Sequence, residues 1–338
     1  MAQLAARLVR PRDIRVTEEP EPIAADGEVL IDVSGVGLCG SDLHWFETGA
    51  IGDAVLGDRP LVLGHEVEGV IAAGPRKGQR VAIDPADPDD TCATCRAGRP
   101  ELCATMRFLG HGSVDGGLRE TLAWPARRLH PIPDGVAVGT GALLETLGIA
   151  LHAVDVGEAG GTAISGARVA VVGCGPVGLL TIRALRAAGA ASILAIEPLE
   201  HRRVAAMASG ADAAEASEEI HDAVDSVDFV FECAGEDAAV ELSNRLARPG
   251  GRVVIVGIPT LDRTSFTASV VRRKALTLAW SRRMVAGDLD RAIQAVAAGT
   301  ISLDDLVTGR YPLAETPAAF AALETRSGLK IVVEPNTP

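Results

Sequence analysis

The rhythm of apolar positions changes near residue 140. Before it, short β-branched stretches recur between frequent Gly and Pro. Residues 29–33 (Val-Leu-Ile-Asp-Val), 67–71 (Val-Glu-Gly-Val-Ile) and 80–83 (Arg-Val-Ala-Ile) read as strands of an irregular antiparallel barrel. After it, stretches of helical periodicity at 143–154 and 178–188 alternate with short apolar runs at 169–172, 192–196, 229–231 and 252–257. Such runs suit strands buried on both faces, and their alternation with helices implies right-handed crossovers and a parallel sheet. Beyond Lys274 the pattern predicts a strand at 276–280, a helix at 288–298 and a last strand at 329–333. The chain contains no internal repeat and no low-complexity tract.

Composition narrows the class. A chain of 338 residues is long enough for two domains, each with its own core, and 47% hydrophobic residues with 37 Gly suit a soluble α/β protein. The net charge of -13 argues against nucleic acid or an anionic membrane as partner. No apolar run approaches the roughly 20 residues of a membrane helix, and Arg7, Arg10 and Asp13 interrupt the start before a signal-peptide core can form. A cytoplasmic location is therefore expected. Six cysteines do not make a disulfide framework here. Cys92, Cys95 and Cys103 cluster as metal ligands would, while Cys174 and Cys233 sit at strand ends as small core residues.

Gly173-Cys174-Gly175-Pro176-Val177-Gly178 follows one apolar run and precedes a helical pattern, the context a dinucleotide loop requires. Gly173 permits the tight turn, Gly175 lets backbone approach a pyrophosphate, and Gly178 lets the helix pack on the strand. The pyrophosphate would lie at the helix start near Pro176 and Val177. About 20 residues further on, Glu197 ends the next strand, where an acid accepts hydrogen bonds from ribose hydroxyls and repels a 2′-phosphate. NAD is thus preferred to NADP. The competing reading makes a phosphate clamp of Arg202 and Arg203, with Glu197 opposing it.

Three further segments carry metal chemistry: Cys39-Gly40-Ser41-Asp42-Leu43-His44, Gly64-His65-Glu66 and Leu144-Glu145. Cys, His and Glu in separate turns supply a zinc donor set that no single local motif could. With the nucleotide loop they point to hydride transfer. In order and spacing these elements resemble the zinc-dependent medium-chain dehydrogenases, specifically their polyol and sugar (sorbitol dehydrogenase-like) branch. The resemblance covers nearly the whole chain, from 12–16 to 328–332.

That resemblance implies a GroES-like β-barrel catalytic domain over 1–146, completed by 277–338, and a Rossmann doubly wound NAD-binding domain over 147–276. It makes Cys39, His65 and Glu66 ligands of a catalytic Zn2+, with Glu145 binding directly or through water. Ser41 and His44, in Cys-x-Ser-x-x-His, become a proton relay by way of the cofactor ribose. Trp45 and Phe108 match aromatic pocket positions, although these and Phe46 could equally be core, and Arg283 is a candidate partner for distal substrate hydroxyls. Cys92, Cys95 and Cys103 match a structural zinc lobe whose first cysteine is here Asp89. Aspartate ligates zinc at about 2.0–2.2 Å, so either Asp89 (or Asp87 or Asp90) completes the site or the lobe holds no metal. The substrate expected is a polyol, sugar or cyclitol. Threonine or simple-alcohol oxidation, or a non-catalytic NAD-binding role, are the alternatives. Pairing through an edge strand near 276–280 would give a homodimer or homotetramer.

Overall fold

Strand Glu28–Gly37 alternates buried Ile31 and Val33 with exposed Asp32, then is buried throughout at its end. It pairs antiparallel with Glu66–Ile71, Thr121–Pro125 and Lys330–Glu334. The sheet runs Leu129–Pro131, Arg80–Ile83, Glu66–Ile71, Glu28–Gly37, Lys330–Glu334, Val307–Pro312, with Thr121–Pro125 joined to Glu28–Gly37 off that path. All these strands belong to one compact unit, Met1–Glu145 with Val285–Pro338, so the end of the chain completes a sheet begun near its start. The structure, a computed structural model, describes residues 2–217, 224–259 and 263–337.

In the same unit Ala2–Arg10 and Asp13–Pro20 form a hairpin, and Leu61–Val62 pairs with the first of them. Their many Arg, Glu and Gln positions mask the strand alternation. Arg7 bridges Glu19 at 2.6 Å and Asp115 at 3.0 Å, and Asp115 also meets Arg59 and accepts the Val62 N–H at 3.1 Å. Burial raises the Asp115 carboxyl, but Arg7, Val62 and Arg59 together outweigh it and hold the group below its ordinary range. Helix Thr316–Thr325 delivers Phe320 onto Phe46, ring centroids 5.0 Å apart, within the unit's main core.

The second unit, Thr146–Met284, holds a six-stranded sheet in the order Ala213–Glu215, Ser192–Ile196, Arg168–Val172, Val227–Glu232, Ala247–Ile255, Thr277–Trp280. Every pairing in it is parallel. Numbered along the chain this is 3-2-1-4-5-6, the doubly wound dinucleotide-binding order. Val169, Ala170, Val171, Phe229 and Phe231 have at most 1% exposure, which explains their continuous apolar runs. Each such Val or Phe contributes on the order of 1.5–3 kcal/mol by burial. Thr277–Trp280 is the sixth strand of this sheet, so the first unit resumes at Val285, later than an expected return at 277.

Candidate functional site

Cys39 is the N-cap of helix Gly40–Thr48, and Asp42 is its third residue. One Asp42 oxygen accepts the Cys39 N–H at 2.9 Å and the other the Gly64 N–H at 3.1 Å. An acid at this helical position satisfies an N-terminal donor and faces the positive end of the helix. Its carboxylate thereby ties the turn carrying Cys39 to the turn carrying His65, and lies 3.7 Å from His65 Nδ1. Burial opposes both charges, yet each outweighs it for the other. Asp42 is held below its ordinary range and His65 well above, with Cys39 adding to the latter.

His65 precedes, and Glu66 opens, strand Glu66–Ile71. Cys39, His65 and Glu66 each offer one ligand atom, and these atoms lie within 4.8 Å of one another. Glu66 has 0% exposure, its Oε1 receives no hydrogen bond, and its Oε2 meets the ammonium of Lys330, itself 1% exposed. A thiol, an imidazole and a carboxylate with an acceptor to spare suit zinc with a position left open. Glu145, at the start of helix Leu143–Glu158, is buried but outside that three-atom group. Burial pushes it up to about 7, with His65 and Lys330 opposing and Glu66 adding. Burial would lower Lys330, but Glu66 and Cys39 hold it above its usual value.

Asp42 and Lys330 were not legible as site residues. Asp42 carried a signal, an acid three positions after the cap, whereas Lys330 differed from its neighbours only as a lone charge in an apolar strand.

Ser41 and His44 are half-buried and three residues apart on the same helix, hence on neighbouring faces. Burial holds His44 below its ordinary value, with Glu47 opposing. Phe108 lies beside the cluster, its ring 5.5 Å from that of His65. Trp45 instead has 1% exposure and packs edge-on to His111 at 5.5 Å, so its indole is core and offers little surface to a substrate. Arg283 belongs to the second unit, half-buried, at φ 60°.

The cysteine lobe is drawn together as well. Asp89, Cys92, Cys95 and Cys103 place their ligand atoms within 4.8 Å of one another; Asp87 and Asp90 are outside this group. Cys92 and Cys95 Sγ are 3.4 Å apart. Asp89 Oδ1 accepts the N–H groups of Thr91 at 2.7 Å and Cys92 at 2.8 Å, and Oδ2 accepts the Thr105 hydroxyl at 2.5 Å. These bonds, Thr105 first, hold Asp89 ionised far down the pH scale, the form a metal requires. Three soft donors and one hard one, converging, fit a structural zinc.

In the second unit Gly175 caps helix Pro176–Ala187, with Pro176 at its first position and Val177 next. A Cβ on Gly178 would lie 2.9 Å from the Gly173 carbonyl carbon, whereas one on Gly175 would meet only Arg202 Nη1, at 3.8 Å. Gly178 therefore serves helix packing and Gly175 leaves an open approach. Glu197, 4% exposed, accepts the Cys174 N–H at 2.8 Å and the Leu199 N–H at 3.1 Å. Arg203 is engaged with the carbonyls of Glu197 and Pro198, at 2.9 and 2.7 Å. Cys174 is fully buried and pushed up to about 12, first by that burial, as suits a packing residue.

Residues 25–134 match the alcohol dehydrogenase GroES-like domain, and residues 176–298 match the zinc-binding dehydrogenase domain. The chain belongs to the zinc-binding alcohol dehydrogenases. It is 33% identical to a sorbitol dehydrogenase of Bacillus subtilis, over 98% of this chain and 97% of that one. It is 32% identical to a probable D-xylulose reductase A of Neosartorya fischeri, over 95% and 93%. A putative zinc-binding dehydrogenase from Sinorhizobium meliloti, solved with NADP bound, superimposes with a TM-score of 0.89 at 29% identity, covering 99% and 100% of the two chains.

Proposed function

We propose that this dehydrogenase oxidises a secondary hydroxyl of a polyol, sugar or cyclitol with NAD as acceptor, and that Cys39, His65 and Glu66 hold its catalytic zinc. The observation that carries this reading is the convergence of the buried His65 and Glu66 with the half-buried Cys39. When bound, zinc supplies Lewis acidity that orients the substrate hydroxyl and lowers its pKa. NAD would supply the acceptor for the carbinol hydride once the hydroxyl has given up its proton. Ser41 passes that proton on, and His44, whose pKa burial lowers, is the base that takes it and releases it to solvent. Phe108 walls the site beside His65. Glu145, buried but outside the three-atom group, would add negative charge when ionised. The sorbitol and xylulose names of the relatives support a polyhydroxylated substrate over a simple alcohol.

NAD rather than NADP follows from Glu197, which retains acceptor capacity for ribose hydroxyls beside its two backbone bonds. The NADP found with a related protein makes the 2′-phosphate test informative. Asp89 with Cys92, Cys95 and Cys103 would hold a second, structural zinc. Two finer expectations belong to the same reading. One is a cytoplasmic location; among the described residues no helix is long and apolar enough to cross a membrane. The other is a homodimer or homotetramer formed through Thr277–Trp280, a sheet-edge strand with Trp280 57% exposed.

The test is NADH formation by the zinc-loaded protein on a panel of polyols, aldoses, cyclitols, threonine and simple alcohols, with Cys39→Ser as control. Turnover of a polyhydroxylated compound, absent in the control, is expected. Turnover confined to threonine or simple alcohols, or none despite bound zinc and NAD, would overturn the substrate class.

A further inference from the structure

Glu66 and Lys330 lie on the two strands that flank Glu28–Gly37. Gly37 pairs with Glu66 on one side and with Val332 on the other. A Cβ on Gly37 would collide with Glu66 Oε2 and sit 2.9 Å from Lys330 Cε. The missing side chain of the middle strand is thus the space in which carboxylate and ammonium meet, at 0% and 1% exposure.

A buried ion pair is weak evidence for stability, because desolvation cancels most of its attraction, so its presence beside a metal site asks for another account. Charge counting supplies one. When ionised, the Cys39 thiolate and the Glu66 and Glu145 carboxylates carry three negative charges, the last only above the value of about 7 to which burial pushes Glu145, and a divalent metal would bring two positive ones. Lys330 brings the third. It also occupies the Glu66 oxygen that would otherwise be free to close on the metal.

We propose that Lys330 is a positioning residue for Glu66. Its ammonium holds one carboxylate oxygen, balances the charge of the site, and so keeps Glu66 from filling the position substrate oxygen needs. This rests on the reading of Cys39, His65 and Glu66 as zinc ligands. It has a sign that a merely structural lysine lacks. Loss of a structural lysine loosens the site and weakens metal binding, whereas loss of a competing cation strengthens it.

The experiment compares Lys330→Met with the unmodified protein by zinc competition against a chelator, Cys39→Ser identifying which bound ion is the catalytic one. Zinc held roughly tenfold more tightly, or better, is expected, with kcat reduced and the KM for NAD unchanged, and with Lys330→Arg returning both toward their original values. Should Met not be tolerated, Lys330→Gln, neutral but still able to donate to Glu66, should tighten zinc binding in the same direction by a smaller factor. Unchanged or weaker zinc binding in a folded neutral variant would overturn the role of Lys330 alone. Unmodified protein with no zinc at the Cys39 site would overturn the ligand reading as well.

Discussion

Glu197 accepts a 2.8 Å hydrogen bond from the backbone N–H of Cys174, so the acid that ends one strand holds the glycine-rich loop that follows its neighbour. The residue proposed to read the ribose is thus also the one that holds the glycine-rich loop. Glu197→Ala is expected to raise the KM for NAD by roughly 10–100-fold, the equivalent of losing a charge-assisted hydrogen bond, while leaving zinc content unchanged. Hydrogen exchange at 173–178 should accelerate in parallel. Initial-rate kinetics with NAD and NADP check both this and the cofactor preference: discrimination against NADP should shrink in the variant.

Asp42 is the corresponding tie in the first unit. Asparagine in its place keeps the shape but offers only one acceptor oxygen to the two N–H groups of Cys39 and Gly64. Asp42→Asn should cost about 1–3 kcal/mol and make catalytic zinc easier to strip. Denaturant titration and timed zinc release to a chelator give the two readings, and a variant that keeps its metal as firmly as the original would refute the tie.

What the sequence made legible depended on how far each residue's partner lies along the chain. The strands at 169–172 and 229–231 were evident because burial on both faces leaves an unbroken apolar run. Ala213–Glu215 was not, since Ala-Ala-Glu has little strand propensity and is held in place by its pairing with Ser192–Ile196. Cys39, His65 and Glu66 stood out through their residue types and flanking glycines. Lys330 did not, because its meaning lies in Glu66 and in the empty face of Gly37, neither of which is near it in sequence. Trp45 was ambiguous for the opposite reason: an aromatic residue beside a site motif looks the same whether it lines a pocket or fills a core.

The cysteine lobe predicts a separation of stability from turnover. Cys95→Ser should lower the melting temperature by roughly 5 °C or more while turnover per folded molecule stays near its original value. Calorimetry alongside zinc analysis would show it. An unchanged melting temperature with unchanged metal content would mean that the four donors hold nothing.

The Asp115 cluster sets a pH dependence. Its folded carboxyl titrates below the unfolded value of about 3.9, so its contribution is complete above about pH 4 and is lost as pH falls through the folded value. Asp115→Asn should therefore be less stable than the original at pH 7, by about 2 kcal/mol, and the difference should close below pH 4. Urea midpoints measured from pH 7 to pH 3 would reveal the convergence; a constant gap would place the effect in packing instead of charge.

The placement of Lys330–Glu334 beside Glu28–Gly37 also has a bearing on biosynthesis. The lobe from Asp89 to Cys103 is local and can gather its donors while the chain is still emerging from the ribosome. The buried Glu66, by contrast, has no counter-ion until Lys330 is translated, and its sheet lacks the strand Lys330–Glu334 until then. A nascent chain arrested before residue 330 should accordingly hold metal at the lobe while the sheet that carries Glu66 is still incomplete. The cluster of Cys39, His65 and Glu66 then acquires its full surroundings later in translation than the lobe does.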